Sequence, residues 1–190
     1  LQRNSQKFDL IYLDPARRDA QKNKKFLLED LSPNLLEIQE KLGEISDEII
    51  IKLSPLIDIS YLQTKIKNVS KIEIIAVKNE VKELLVFINR KNSHTDTEIK
   101  CVNLESTDPD FVFVFNDEKN AVAEYSDPHN FFYLPNNAVL QTGAFNTVAK
   151  KFKILKLHAN THFYTSDEVI EDFPGRVLKV CVTVPKQILK

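Results

Sequence analysis

Two observations in the sequence predict an α/β protein that runs on into smaller α+β domains. Over residues 1–90, apolar runs typical of buried strands alternate with segments of helical periodicity. The charge balance also changes along the chain: residues 1–90 carry 15 basic and 14 acidic side chains, residues 91–135 carry 3 and 9, and residues 136–190 carry 8 and 4. We therefore expect three units, with boundaries near residues 90 and 135.

The predicted sheet begins at Phe8–Leu13, a short apolar run of the kind found in strands buried on both faces. A helix is expected next, with Ser32 as its N-cap, Pro33 as its first residue and Gly43 placed to end it. The following apolar run, Glu48–Leu53, predicts a second buried strand.

The last part of this unit predicts a hairpin. A short amphipathic helix is expected over Ile57–Ile66, and strands are expected over Val69–Val77 and Lys82–Ile88. Only Lys78–Val81 separates these two strands, which favours a hairpin over another crossover. The order of elements therefore predicts a parallel α/β sheet that closes with one antiparallel strand.

Residues 91–135 predict a small β-rich domain. Strand signals occur at Ile99–Leu104 and Phe111–Phe115, with a weaker one at Ala121–Tyr125, and helical periodicity is absent.

Residues 136–190 predict a further α+β unit. A helix is expected after Asn136, with an apolar face formed by Leu140, Ala144, Phe145, Val148, Ala149 and Phe152. Thr165 and Glu168 have the spacing of a capping box before a short helix, and Val177–Val184 predicts a final strand.

Composition excludes several classes of protein. The only glycines are Gly43, Gly143 and Gly175, and no two are close enough to form a loop that cradles a nucleotide phosphate. There is no run of about 18 apolar residues and no charged-then-apolar leader, so we expect a cytoplasmic protein without a membrane span. Because the chain has no methionine and begins at Leu1, we expect it to be a fragment. Cys101 and Cys181 are expected to be buried free thiols.

Asp14 is the first candidate site residue, because ligands bind beyond the carboxyl ends of parallel strands. Pro15 would stiffen the exit from the strand, and the adjacent Arg17 and Arg18 carry groups that suit phosphate. The residues favour equally a structural interpretation, in which Asp14 caps the following turn and pairs with an arginine. Lys52 ends the second strand at an equivalent level, where a lysine more often extends to solvent than acts in catalysis.

Several motifs together resemble a bacterial group of class I S-adenosylmethionine-dependent methyltransferase-related proteins with ferredoxin-like and THUMP-like C-terminal domains. Asp14-Pro15-Ala16-Arg17 resembles motif IV of these enzymes, and the hairpin over Lys71–Ile88 resembles the sixth and seventh strands of their sheet. The remaining matches are Lys52-Leu53-Ser54-Pro55, Asn79-Glu80-Val81-Lys82-Glu83-Leu84-Leu85, Gly143-Ala144-Phe145, Leu157-His158-Ala159-Asn160-Thr161-His162, Tyr164-Thr165-Ser166 and Glu171-Asp172-Phe173-Pro174-Gly175-Arg176-Val177.

The resemblance implies a division of the chain and a fold. Residues 1–90 would be the C-terminal half of a Rossmann-like methyltransferase domain, residues 91–135 a small ferredoxin-like domain, and residues 136–190 a THUMP-like domain. It also implies that the cofactor-binding strands and their glycine-rich turn precede this segment. We therefore expect S-adenosylmethionine to bind the full-length protein and not this fragment.

The resemblance further implies that the full-length protein methylates RNA. Asp14 and Pro15 would form the catalytic motif, and Arg17, Arg18 and Lys52 would bind the substrate. Ala16 stands where the family motif has a second proline. This departure favours a competing interpretation, a non-catalytic RNA-binding or interaction module built on a methyltransferase scaffold.

The C-terminal unit holds the candidate RNA contacts, which are Lys150, Lys151, Lys153, His158, His162 and Arg176. The competing interpretation of the lysines is a solvated helix end, and that of the histidines is local hydrogen bonding. The histidine pair has no third ligand at matching spacing, so no metal site is expected. No Ser/His/Asp or Cys/His combination indicates a nucleophilic site.

Overall fold

The computed structural model describes residues 7–17, 27–91 and 96–181, which form two β-sheets and a short two-stranded ribbon. The strands are β1 (Ile11–Leu13), β2 (Ala16–Arg17), β3 (Leu31–Ser32), β4 (Glu48–Leu53), β5 (Val69–Val77), β6 (Glu80–Asn89), β7 (Glu98–Leu104), β8 (Phe111–Val114), β9 (Phe131–Pro135), β10 (Leu155–Lys156), β11 (Tyr164–Ser166) and β12 (Gly175–Lys179). The α-helices are α1 (Leu35–Ile45), α2 (Ile59–Lys65), α3 (Asp117–Asn120), α4 (Asn137–Leu140) and α5 (Phe145–Phe152), and one 3-10 turn covers Leu28–Asp30.

The larger sheet has six strands in the order β1-β4-β6-β5-β7-β8. Strand β1 runs parallel to β4, and β5 runs parallel to β7, whereas β6 is antiparallel to both of its neighbours. The predicted α/β fold class is confirmed, as is the hairpin of β5 and β6. This antiparallel strand inserts between β4 and β5.

One face of this sheet forms the core. Ile49, Ile51 and Leu53 alternate along β4 and are almost fully buried, and Leu84 of β6 follows the same pattern. Helices α1 and α2 contribute Leu35 and Leu62 to the same cluster. Full burial of one such side chain is worth about 1.5–3 kcal/mol, so this face holds the helices on the sheet.

Strand β1 is an edge strand, and it is less buried than its sequence predicts. Phe8, Leu10 and Tyr12 are each at least half exposed, whereas Ile11 and Leu13 pack against the core. The expectation of a strand buried on both faces is therefore wrong for the described residues.

The first helix begins and ends later than predicted. Ser32 pairs with Ala16 in the two-stranded ribbon, so it is unavailable as a cap, and the Ser32–Pro33 peptide bond is cis. Asn34 is the N-cap instead, with its Oδ1 accepting the Leu36 N–H at 3.0 Å. Gly43 lies inside the helix, where the Arg90 guanidinium occupies the space that a Cβ would need.

Within residues 91–135, β7 and β8 extend the six-stranded sheet. The weak strand signal at Ala121–Tyr125 corresponds to a single bridge between Tyr125 and Lys156. The sheet thus crosses the proposed boundary near residue 90. The three-domain division itself stays a prediction.

The smaller sheet is antiparallel, in the order β10-β11-β9-β12. The single helix expected after Asn136 is divided into α4 and α5 by a turn at residues 141–143, where Gly143 has a φ of +72°. Asn136 caps α4 by accepting the Val139 N–H. Thr165 caps no helix, because it is a buried residue of β11 that donates to the Phe131 carbonyl.

The ends of the described chain bear on two further predictions. The last strand ends at Lys179, and residues 182–184 of its predicted range lie outside the described residues. Neither Cys101 nor Cys181 forms a disulfide, but only Cys101 is buried, so the expectation of two buried thiols is wrong for Cys181. No helix within the described ranges has both the length and the apolar character needed to cross a membrane.

Candidate active site

The parallel pairing of β1 with β4 brings two predicted site residues together. Asp14 directly follows β1, and Lys52 is the second-last residue of β4, which lies in register with β1 through the Leu13–Ile51 pair. The carboxyl ends of both strands therefore meet at one edge of the sheet. Lys52 Nζ lies 2.6 Å from Asp14 Oδ2, in an ion pair whose side chains are 33% and 53% exposed respectively.

The electrostatics of this pair keep Lys52 charged. The hydrogen bond that Lys52 donates to Asp14 raises the pKa of the Lys52 ammonium, partial desolvation opposes that shift, and the Glu83 carboxylate adds to it. Lys52 thus remains protonated throughout the neutral range and presents a fixed positive charge beside the Asp14 carboxylate.

A cleft of about 340 Å³ opens next to this ion pair. Its apolar wall consists of Leu27, Leu31, Leu53, Pro55 and Ile57, and its polar rim consists of Asp14, Lys52, Ser54, Lys82 and Glu83, with Pro15 beside them. An apolar pocket with a few convergent polar groups is the usual form of a small-molecule or substrate site.

The ribbon formed by β2 and β3 closes one side of the cleft. After Pro15 the chain is extended, and Arg17 pairs with Leu31 in this ribbon. The structure describes the backbone of Arg17, whereas Arg18 lies outside the described residues. The substrate-binding role expected for the two arginines stays a prediction.

Glu83 and Lys82 are cleft residues that the sequence analysis did not single out. They reach the cleft because β6 pairs antiparallel with β4, with Leu84 opposite Leu53 at the end of that strand. Lys82 Nζ also lies 2.7 Å from Glu80 Oε2. The predicted hairpin of β5 and β6 could have indicated these residues, since β6 begins at the sheet edge where β4 ends.

The predicted RNA contacts lie on several elements of the C-terminal unit. Lys150 and Lys153, at the end of α5, line a second cleft of about 300 Å³. Lys151 is engaged elsewhere, because its ammonium lies 4.9 Å from the Phe111 ring centroid and donates to the Val112 carbonyl.

The remaining three of these residues are His158, His162 and Arg176. His158 Nδ1 accepts the Asn160 N–H at 3.1 Å, and His162 stacks on Phe145 with 3.8 Å between ring centroids. Burial, followed by the nearby charge of Lys156, lowers the pKa of His162. Arg176 lies in β12, at the opposite edge of the smaller sheet from β10. Within the described residues, no three acidic, cysteine or histidine side chains are grouped to hold a metal ion.

The fold and the cleft define an α/β protein with a candidate site at the carboxyl edge of its larger sheet. Similarity to a solved structure supports this class. The chain is similar to the protein from Porphyromonas gingivalis W83 solved as a "putative methyltransferase", with 34% sequence identity and a TM-score of 0.82 over 90% of this chain. The chain spans 43% of the length of that protein. A family model described as a ferredoxin-like domain matches residues 131–174, and none of the curated proteins compared matches the chain.

The position of the ferredoxin-like match differs from the sequence prediction. The prediction placed a ferredoxin-like domain at 91–135 and a THUMP-like domain at 136–190, whereas the match covers β9 to the residue before β12. The segment predicted to be THUMP-like is thus the one that resembles a ferredoxin-like domain.

Proposed function

We propose that this chain is the substrate-side part of a cytoplasmic S-adenosylmethionine-dependent methyltransferase that acts on RNA. The observation that carries the proposal is the Asp14–Lys52 pair at the rim of an apolar cleft, at the edge of the sheet where α/β proteins bind ligands. The similarity over 90% of this chain to a protein described as a methyltransferase supports the reaction type.

Asp14 is suited to hold the group that receives the methyl. Its Oδ2 is occupied by Lys52, and its second carboxylate oxygen can accept an N–H or O–H of the substrate. As a carboxylate, Asp14 acts as a hydrogen-bond acceptor that orients the substrate atom. The apolar wall of the cleft excludes water from one side of that atom.

We expect that the described residues do not by themselves form a site for S-adenosylmethionine. Gly43 lies inside α1, Gly143 in the turn before α5 and Gly175 in β12, so none lines the cleft or forms a turn that could cradle the cofactor. We expect other parts of the full-length protein to bind the cofactor, and we expect this chain alone not to bind it at micromolar concentration. Isothermal calorimetry tests this, and saturable binding by the 190-residue chain would contradict it.

The RNA part of the proposal depends on the C-terminal unit. Lys150 and Lys153 line a cleft at the end of α5, and their ammonium groups have no acidic partner among the described residues. Such cationic groups suit the phosphate backbone of RNA. Retention of RNA by the full-length protein should therefore fall as salt rises, and should weaken in a Lys150→Gln, Lys153→Gln double variant.

The ion pair also supports a second candidate, a binding module without catalysis. Lys52 already bonds one oxygen of the Asp14 carboxylate, and Ala16 stands in place of the second proline of the family motif. In that case the cleft would bind substrate and no methyl transfer would follow.

One assay separates the two candidates. The full-length protein is incubated with methyl-labelled S-adenosylmethionine and total RNA, and the rate of label transfer is compared with that of Asp14→Asn. We expect the substitution to lower the rate at least tenfold, since a misplacement of a reacting atom by about 1 Å can cost about 10²-fold. Glu40→Gln is the matched control, because it removes one carboxylate from an exposed Lys67–Glu40 pair away from the cleft.

The outcomes are distinct. Transfer that is equal in Asp14→Asn and the unaltered protein would refute the role of Asp14. RNA binding with no transfer in any variant would favour the binding module. A protein that neither binds nor labels RNA would refute both candidates.

A further inference from the structure

A serine, a histidine and an aspartate meet at the edge of the smaller sheet, far along the chain from the cleft. Ser126 Oγ lies 2.7 Å from His129 Nε2, and His129 Nδ1 lies 3.0 Å from Asp167 Oδ2. The serine thus contacts one ring nitrogen and the carboxylate contacts the other. This connectivity is that of the Ser-His-Asp triads that perform acyl transfer.

The contacts fix the proton positions in this group. An ionised carboxylate can only accept, so Nδ1 carries the proton that is directed at Asp167. In the neutral imidazole Nε2 is then an acceptor, and the Ser126 hydroxyl donates to it. Since Ser126 Oγ forms no other hydrogen bond within the described residues, its proton is committed to His129. A hydroxyl in this state is an activated nucleophile.

Backbone contacts hold all three side chains in place. The Ser126 N–H donates to the Lys156 carbonyl, which anchors the serine to β10. The His129 N–H donates to Thr165 Oγ1 at 2.8 Å, and Thr165 is fully buried in β11. Asp167 directly follows β11, and its carbonyl accepts from the Asn130 side chain. Rigid elements therefore determine the geometry of the group.

We propose that Ser126, His129 and Asp167 form a second, independent catalytic site, which transfers acyl groups from small carboxylic esters. This inference does not depend on the proposed methyltransferase function. The Asp127 N–H, which directly follows the nucleophile and has no partner among the described residues, is a candidate donor for the oxyanion.

The exposure and the charge of the residues around Ser126 determine which esters the site would accept. Asp167 is 71% exposed and His129 27% exposed, so the site is open to solvent and has no deep acyl pocket. A small acyl group fits such a surface. The carboxylates of Asp127 and Asp167 disfavour anionic acyl groups, so the substrate is an uncharged or cationic ester.

Ester hydrolysis at this site has two steps, acylation of Ser126 and hydrolysis of the acyl-enzyme. Ser126 Oγ bonds to the ester carbonyl carbon while its proton moves to His129 Nε2, the bond to the alcohol oxygen breaks, and that oxygen takes the proton from Nε2. Water then bonds to the acyl carbon and gives one proton to Nε2, the bond to Oγ breaks, and Oγ regains the proton. The products are a carboxylic acid and an alcohol, and Asp167 stabilises the imidazolium formed in each step.

The test is covalent labelling of the full-length protein with an alkyl fluorophosphonate. This probe bonds to the serine oxygen through phosphorus and releases fluoride. We expect the label at Ser126, with a rate at least tenfold lower in His129→Ala and a smaller loss in Asp167→Asn, because Asp167 is mostly exposed. Added imidazole should restore labelling of His129→Ala, which a purely structural histidine would not allow. Hydrolysis of p-nitrophenyl acetate should follow the same order.

Ser60→Ala is the matched control, since Ser60 is an exposed serine on α2 to which no described histidine bonds. It should label and hydrolyse as the unaltered protein does. Thermal unfolding of each variant, followed by circular dichroism, confirms that it is folded. Labelling spread equally over exposed serines, or unchanged labelling of Ser126 in a folded His129→Ala, would overturn the proposal.

Discussion

Helix α5 depends on a carboxylate from another element, and removing it tests how the C-terminal unit is held together. The α5 N-cap, Ala144, supplies no side-chain bond. Glu118 of α3 supplies it instead, with Oε1 accepting the Asn146 N–H at 3.0 Å and Oε2 accepting the Thr147 N–H at 2.7 Å. We expect Glu118→Ala to destabilise the protein, because it leaves two helix N–H groups without their acceptor.

The magnitude follows from the two bonds. Each hydrogen bond to a charged group is worth about 1.5–3 kcal/mol, and a negative charge at a helix N-terminus adds about 0.3–1 kcal/mol. Glu118 is only half-buried, so water replaces part of what is lost. We therefore expect the free energy of unfolding to fall by about 2–3 kcal/mol. For a chain of this size the Tm should fall by about 4–12 °C.

The measurement is urea unfolding followed by circular dichroism, with Tm from thermal unfolding as a second readout. Glu118→Gln should lose about half as much, because the amide keeps one acceptor oxygen but no charge. Glu44→Ala is the control, since Glu44 is exposed on α1 and has no bonded side-chain partner among the described residues. A loss below about 0.5 kcal/mol in Glu118→Ala, the range of an ordinary surface substitution, would refute this account of α5.

Three further predictions concern burial and pH. Leu84→Ala should cost about 2–5 kcal/mol in urea unfolding, because Leu84 is fully buried between sheet and helices. In the folded protein a maleimide should modify exposed Cys181, while burial raises the pKa of Cys101 and protects it until unfolding, as mass spectrometry would show. Because burial lowers the pKa of His162, the unfolded state binds the proton more tightly, and the free energy of unfolding should fall as pH drops below about 6.5. That slope should diminish in His162→Gln and persist in His158→Gln.

Local patterns in the sequence predicted the individual strands well. The bounds of β4 and β5 agree with prediction to the residue, since an apolar run between turn residues is enough to define a buried strand. The meeting of Asp14 with Lys52 was also accessible, because parallel strands that end at one sheet edge bring their following residues together. Which of these residues act on a substrate stays a prediction.

Features that depend on residues far apart in the sequence were predicted poorly. Thr165 and Glu168 have the spacing of a capping box, but pairing of β11 with β9 commits Thr165 to a strand. Ser32 likewise pairs with Ala16 in the ribbon of β2 and β3, so Asn34 is the N-cap of α1 instead. The Ser126–His129–Asp167 group was missed for the same reason, because Asp167 reaches His129 only through the pairing of β11 with β9.

The insertion of β6 between β4 and β5 brings further charged side chains to the cleft beside Asp14 and Lys52. With β6 at the far side of β5, the rim would hold only Asp14 and Lys52, whose charges cancel. Because β6 pairs with β4, Glu83 lies at the same edge and raises the pKa of Lys52 further. Lys82 also lines the cleft, and its ammonium is paired with Glu80. The rim therefore holds two carboxylates, Asp14 and Glu83, and two ammonium groups, Lys52 and Lys82, so it offers both acceptors and donors to a polar substrate group.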